Sequence, residues 1–129
     1  MAAVETFEDL EVWKKARELT HAIYGICSNG DFGRDYGLKD QICRAAVSVM
    51  SNIAEGFERG GDKEFLQFLA QAKASCGEIR SHLYVAKDQH YLSRQQFDVL
   101  LARAMEISRM IAGLMQYLKE SGMRGNKYK

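Results

Sequence analysis

The segment from Asp62 to Gln89 constrains the chain most. Phe65, Leu69, Ala72, Cys76, Ile79, Leu83 and Ala86 recur at spacings of 4-3-4-3-4-3. That register lays apolar side chains along one seam of an α-helix. A helix of this span is roughly 42 Å long, and its seam needs partners along the whole of that length. A sustained heptad favours neighbours at a shallow crossing angle. The chain contains no proline, so nothing in it carries the strongest helix breaker.

Three further helices supply the partners. The first runs from about Glu8 to Cys27, with Trp13, Ala16, Thr20, Ile23 and Cys27 on one stripe. It stops at Ser28-Asn29-Gly30-Asp31, a run that ends helices and makes loops. The second runs from about Gly37 to Arg59 and stops at Gly60-Gly61, where the cost of ordering the backbone rises. Asp62 is the expected N-cap of the third helix. The fourth opens on Ser93 with Gln96 three residues on, a capping box, and carries Phe97, Leu100, Leu101, Ala104, Ile107, Ile111, Leu114 and Leu118. Gly122 is its expected stop, and the tail from Met123 to Lys129 is expected to fray. The expected architecture is all-α: an antiparallel up-down four-helix bundle in one domain over 1–129, with helices at about 8–27, 37–59, 62–89 and 93–120.

Composition removes several function classes. Hydrophobic residues make up 47% of the 129, enough for a core. A net charge of +1 excludes a chain that seeks polyanions on charge alone. No apolar run approaches the length of a membrane span, and the opening MAAVETFEDL lacks the order of a signal peptide. Cys27, Cys43 and Cys76 form no C-x-x-C and sit at apolar helix positions, which reads as free, buried thiols. Together these features lead us to expect a cytoplasmic protein.

The second helix is unusual. With Arg44 at zero on a wheel of about 100° per residue, Ser48, Asn52, Glu55 and Arg59 share a polar stripe about 80° wide. The apolar residues around it cover roughly 200°, more than one bundle seam needs. That excess is covered either by a second copy of the chain or by a central position in its own bundle. The stripe is either a solvated face, with Glu55 and Arg59 as an i,i+4 pair, or a partly buried network. Ser75, Glu78 and His82 of the third helix are the partners in the second case, with Glu78 expected opposite Arg44.

No catalytic constellation is visible. Gly56-x-x-x-x-Gly61 is followed by Asp62 where a phosphate loop has lysine, and it joins helices where such a loop follows a strand. Glu18-x-x-His21 is half of a di-iron motif whose second half is missing. Cys76 and His82 lie about 9 Å apart along one helix axis and do not form a nucleophile–base pair. Neither a cofactor nor a metal is expected.

One phrase is distinctive: Tyr36-Gly37-Leu38-x-x-Gln41-Ile42-x-Arg44-Ala45-Ala46-Val47-Ser48-Val49-x-Ser51-Asn52-Ile53-Ala54-Glu55-Gly56. It is flanked by Phe7-x-Asp9-Leu10-x-Val12-Trp13-x-x-Ala16 and Glu64-Phe65-Leu66-x-Phe68-Leu69. From Phe7 to Leu118 the chain resembles the 23S rRNA intervening-sequence proteins. More distantly, it resembles the accessory proteins of diversity-generating retroelements. The first family's name records where some members are encoded, within insertions in 23S rRNA genes. The resemblance implies a small bacterial four-helix protein that assembles as a ring-like homopentamer. The retroelement proteins share that barrel and bind nucleic acid. The chain departs from its relatives at Gly30-Asp31-Phe32-Gly33-Arg34-Asp35, where a proline-containing turn is common.

The expected function is therefore a non-enzymatic oligomeric scaffold or adaptor. Its partners are further copies of itself and RNA or another protein, with no membrane. Arg124, Lys127 and Lys129 are the expected nucleic-acid contacts, because a ring would gather five such tails on one face. The alternative is a protein–protein assembly module with no nucleic-acid role.

Overall fold

The computed structural model describes residues 3–123. A single 3-10 turn, Phe7–Asp9, leads into α1 (Glu11–Ile26), α2 (Gly30–Arg34), α3 (Tyr36–Glu58), α4 (Asp62–Asp88) and α5 (Arg94–Met123). There is no strand among the described residues. The four long helices form the bundle. α3, α4 and α5 pack as consecutive antiparallel neighbours, and α1 lies against both α3 and α5.

The α4 seam is the spine of the core. All seven of its heptad residues are buried, from Phe65 to Ala86. Against it lie Ile42, Ala45, Val49 and Ile53 of α3 and Leu100, Ala104, Ile107 and Ile111 of α5. On α1 the buried residues are Val12, Ala16, Leu19 and Ile23. Trp13 and Thr20 of the expected stripe are only half-buried. Trp13 meets the Phe7 ring edge-on, with centroids 5.2 Å apart. The Thr20 hydroxyl donates to the Ala16 and Ala46 carbonyls at 2.8 and 3.2 Å. These two residues mark the border of the α1 seam, and its centre is about one residue earlier on the wheel.

Three connections set the helix ends. Between α1 and α3 the chain makes the short helix α2, which the sequence pattern does not announce. Phe32 is buried there and stacks on Tyr91 at 5.3 Å. The Asp35 carboxylate accepts from the Leu38 N–H at 3.1 Å, capping α3, and from the Tyr91 hydroxyl at 2.9 Å. Between α3 and α4, Gly60 takes φ +84 and Gly61 is the N-cap of α4, with no side-chain capping bond. Asp62 is thus the first residue of α4 and not its cap. Its Oδ2 is buried with no hydrogen-bond partner among the described residues, and Gly61 holds the extended cap conformation at φ −116 and ψ 148.

Between α4 and α5, His90 has φ 64. Its N–H donates to the Lys87 carbonyl and that of Tyr91 to the Ala86 carbonyl, both at 2.9 Å. This is the paired closure of a Schellman motif, here with histidine in the left-handed position that glycine usually takes. The α5 capping box is complete: the Ser93 N–H donates to Gln96 Oε1 at 2.9 Å and the Gln96 N–H to Ser93 Oγ at 3.0 Å.

Gly56 lets α3 and α4 approach closely. A Cβ built there would stand 2.7 Å from Phe68 Cβ and 2.9 Å from Phe65 Cδ1. Below 3.0 Å something must move, and the nearer atom belongs to the stem of a side chain, not to its flexible end.

Candidate binding faces of the bundle

The polar stripe of α3 divides in two. Its centre faces α4: the Ser48 and Ser75 hydroxyls share a 2.9 Å hydrogen bond, and Asn52 Nδ2 donates to the Ser48 carbonyl at 2.9 Å and to its Oγ at 3.0 Å. All three side chains are half-buried. The charged members lie outside. Arg44 is 78% exposed and donates to Asp40 at 2.8 Å. The expected Arg44–Glu78 pair does not form. Glu78 lies instead 3.6 Å from His82 Nε2, a nitrogen without a hydrogen-bond partner among the described residues. Glu55 and Arg59 make an exposed i,i+4 pair at 3.4 Å, and the Arg59 guanidinium also covers the Phe68 ring at 5.0 Å. The interior network therefore comprises Ser48, Asn52 and Ser75. Wheel angles alone place Arg44, Glu55 and Arg59 beside them, but their charged ends stay exposed, pairing with Asp40 and with each other, and Arg59 lies over the Phe68 ring of α4.

Most of the broad apolar arc of α3 is covered by its own bundle. Ile42, Ala45, Ala46, Val49 and Ile53 are fully enclosed, and Cys43 keeps 8% exposure. One edge is not covered. Tyr36, Cys43, Val47 and Ala54 fall within about 40° of one another on the wheel. Along that strip Tyr36 is 74% and Val47 41% exposed, while Ala54 and the adjacent Met50 are half-buried. Tyr24 of α1 joins Tyr36 and Cys43 in lining a hollow at the strip's end.

A second face lies between α1 and α5. Lys14, Arg17, Glu18, His21, Ala22 and Arg103 line an open groove of about 710 Å³. It continues into an apolar hollow of about 270 Å³, lined by Ile26, Val99 and Leu100 with Gln95 and Gln96. Ala22 and Arg103 border both. Sequence reading missed this face because its two walls lie about 80 residues apart in the chain. The spacing Lys14-x-x-Arg17-Glu18-x-x-His21 was the available signal, since it puts one helix turn after another on the same side.

The thiols are free and buried. Burial pushes Cys27 up to about 12 and Cys76 up to about 11, and the neighbouring Cys43 thiol adds to the effect at Cys27. Such thiols are poor nucleophiles at neutral pH. Among the described residues no group of three or more His, Cys, Asp or Glu side chains could hold a metal ion, and no helix is long and apolar enough to cross a membrane. Arg124, Lys127 and Lys129, the expected nucleic-acid contacts, lie outside the described residues.

A crystal structure of a protein with unknown function from the S23 ribosomal protein family of Bacteroides thetaiotaomicron is similar to this fold, with a TM-score of 0.74 and 21% identity. The similarity covers 81% of this chain and 97% of that one. At that identity the likeness shows the fold. No curated protein matches the chain. Residues 8–113 match the family described as 23S rRNA-intervening sequence protein. With most of its length matched and the helical bundle shared, this chain belongs to the 23S rRNA-intervening sequence protein family.

Proposed function

We propose that the chain is a non-enzymatic, self-assembling scaffold that serves as an adaptor for RNA. The observation that supports self-assembly is the uncovered strip of α3. Tyr36 and Val47 present apolar surface to solvent along a regular helix edge, with Met50 and Ala54 half-buried and Cys43 buried behind them. A second copy would cover the strip and remove that surface from water, which is favourable at about 25 cal/mol per Å². The resemblance to ring-forming relatives supports a count of five. The more distant resemblance to retroelement accessory proteins, which bind nucleic acid, makes RNA the first partner to try. The cationic groove between α1 and α5 supports it.

Light scattering at micromolar concentration tests the assembly. The expected mass is about five times the 14.6 kDa of one chain. Val47→Glu should reduce it to the monomer while leaving the helical content unchanged, because the side chain is already 41% exposed. A wild-type monomer would remove the scaffold reading. A wild-type oligomer that binds no RNA at about 50 mM salt, where phosphate contacts are strongest, would favour the alternative of a protein–protein assembly module.

A further inference from the structure

We propose that the groove between α1 and α5 is the seat of a single-stranded RNA, with phosphates on Lys14, Arg17 and Arg103 and a base against Val99. This rests on the RNA-adaptor reading above and moves its contact surface from the tail to the body of the bundle.

The charges are arranged for a chain of phosphates. Three cations and His21 line the groove against one carboxylate, Glu18. Arg103 makes no hydrogen bond or ion pair among the described residues. Arg17 rests over the Trp13 ring at 5.9 Å, which orders the guanidinium without neutralising it. Lys14 shares an exposed contact of 3.3 Å with Glu11, and such surface pairs yield readily to a better partner. The cations are spread along an open groove and do not converge on one point, so they suit several phosphates in a row better than one small anion.

The second half of the groove argues for a nucleic acid over an acidic protein. Beyond Arg103 the charges stop. Ile26, Val99 and Leu100 form an apolar floor, with Val99 43% exposed. The amides of Gln95 and Gln96 stand at its edge. Gln96 Oε1 is engaged by the Ser93 N–H, which leaves its amide nitrogen free to donate, and Gln95 is exposed. Cations beside an apolar floor with amide donors match a backbone that alternates phosphates with flat, hydrogen-bonding bases. From Lys14 to Ile26 the α1 wall runs roughly 18 Å, long enough for more than one nucleotide.

The test is fluorescence anisotropy with a labelled 12-nucleotide oligouridylate between about 50 and 200 mM salt. A single strand loses about 0.7 in log–log slope for each phosphate contact removed, or about eightfold in affinity at 50 mM salt. The double substitution Arg17→Gln, Arg103→Gln should therefore weaken binding roughly sixtyfold and flatten the slope by about 1.4. Glu18→Gln should tighten it. Val99→Ser should lower affinity with the slope unchanged, the mark of an uncharged contact. All four side chains are exposed, so circular dichroism should match wild type throughout. Deletion of residues 124–129 should leave most of the affinity in place. RNA binding that persists in the double variant, or that vanishes with the tail alone, overturns the groove while the adaptor reading stands. No binding by wild type removes the RNA reading itself. Competition by uridine monophosphate at concentrations as low as those of the 12-mer would identify a free-nucleotide site and overturn the RNA strand.

Discussion

Adding one methyl group at Gly56 should destabilise the protein, although the residue lies within the last turn of α3, where alanine has the better helix propensity. Two effects oppose each other. Replacing glycine by alanine in a helix interior gains about 1 kcal/mol from propensity. At Gly56, however, the new Cβ would stand 2.7 Å from Phe68 Cβ and 2.9 Å from Phe65 Cδ1. Relieving such overlaps in a packed core costs typically 1–3 kcal/mol. Moving Phe68 Cβ means moving the α4 backbone, which places the cost toward the upper part of that range. The net loss for Gly56→Ala is then about 1–2 kcal/mol. Gly113 of α5 is the internal control, since a Cβ there would meet nothing within 4 Å. Gly113→Ala should stabilise by about 0.5–1 kcal/mol. Urea unfolding followed by circular dichroism, with all three proteins at one concentration because assembly shifts apparent stability, should separate the two variants by about 2 kcal/mol. Should Gly56→Ala prove as stable as wild type, the close approach of α3 and α4 is not as described.

Other perturbations discriminate equally well. Arg44→Ala should change stability by less than about 0.5 kcal/mol, because the side chain is 78% exposed and its pair is a surface one. Ser75→Ala should cost about 1 kcal/mol by leaving Ser48 with Asn52 alone; both are read by the same urea titration. His90→Gly should stabilise by about 1 kcal/mol, since it relieves a left-handed residue at a helix C-terminus, and should raise the melting temperature by a few degrees. The bond to Asp35 raises the pKa of Tyr91 above its ordinary value of 10. The stability it contributes is present below that value and is lost as pH rises through the folded pKa, so wild type should lose stability above pH 10 more steeply than Tyr91→Phe. Native protein at pH 8 should leave Cys27 and Cys76 unreacted with a thiol reagent, whereas guanidinium should expose all three cysteines.

How much was legible in the sequence follows from what periodicity can encode. The α4 seam was read residue by residue, because a heptad that runs the length of a bundle has one outcome for each position. The capping box at Ser93 was equally direct, being a local bond pair within four residues. Helix α2 was not legible: five residues with two glycines carry no period, and its anchor is Tyr91, far away in the chain. Asp62 was misplaced by one residue because glycine can take the extended cap geometry as readily as aspartate can. The polar stripe shows a different limit. A wheel gives the angle of Arg44, Ser48, Asn52, Glu55 and Arg59, but which of them meets α4 depends on how wide a face that helix presents. The α1/α5 groove was invisible for the plainest reason, since each wall read separately is an ordinary solvated helix face.

The two ends of the bundle are built on opposite principles. At one end Phe32, Asp35 and Tyr91 join the α1–α3 connection to the α4–α5 turn, so two loops distant in sequence are held as one piece. At the other end α3 passes to α4 through Gly60 and Gly61, with no side-chain cap on α4 and an Asp62 carboxylate oxygen that has no partner among the described residues. Amide hydrogens should therefore exchange along a gradient, fastest in the first turn of α4 and slowest beside Tyr91. The molecule should then open from the glycine end, like a clamp hinged at the aromatic bolt. Whatever docks against the α3–α4 turn would thus act on the half of the protein that yields first.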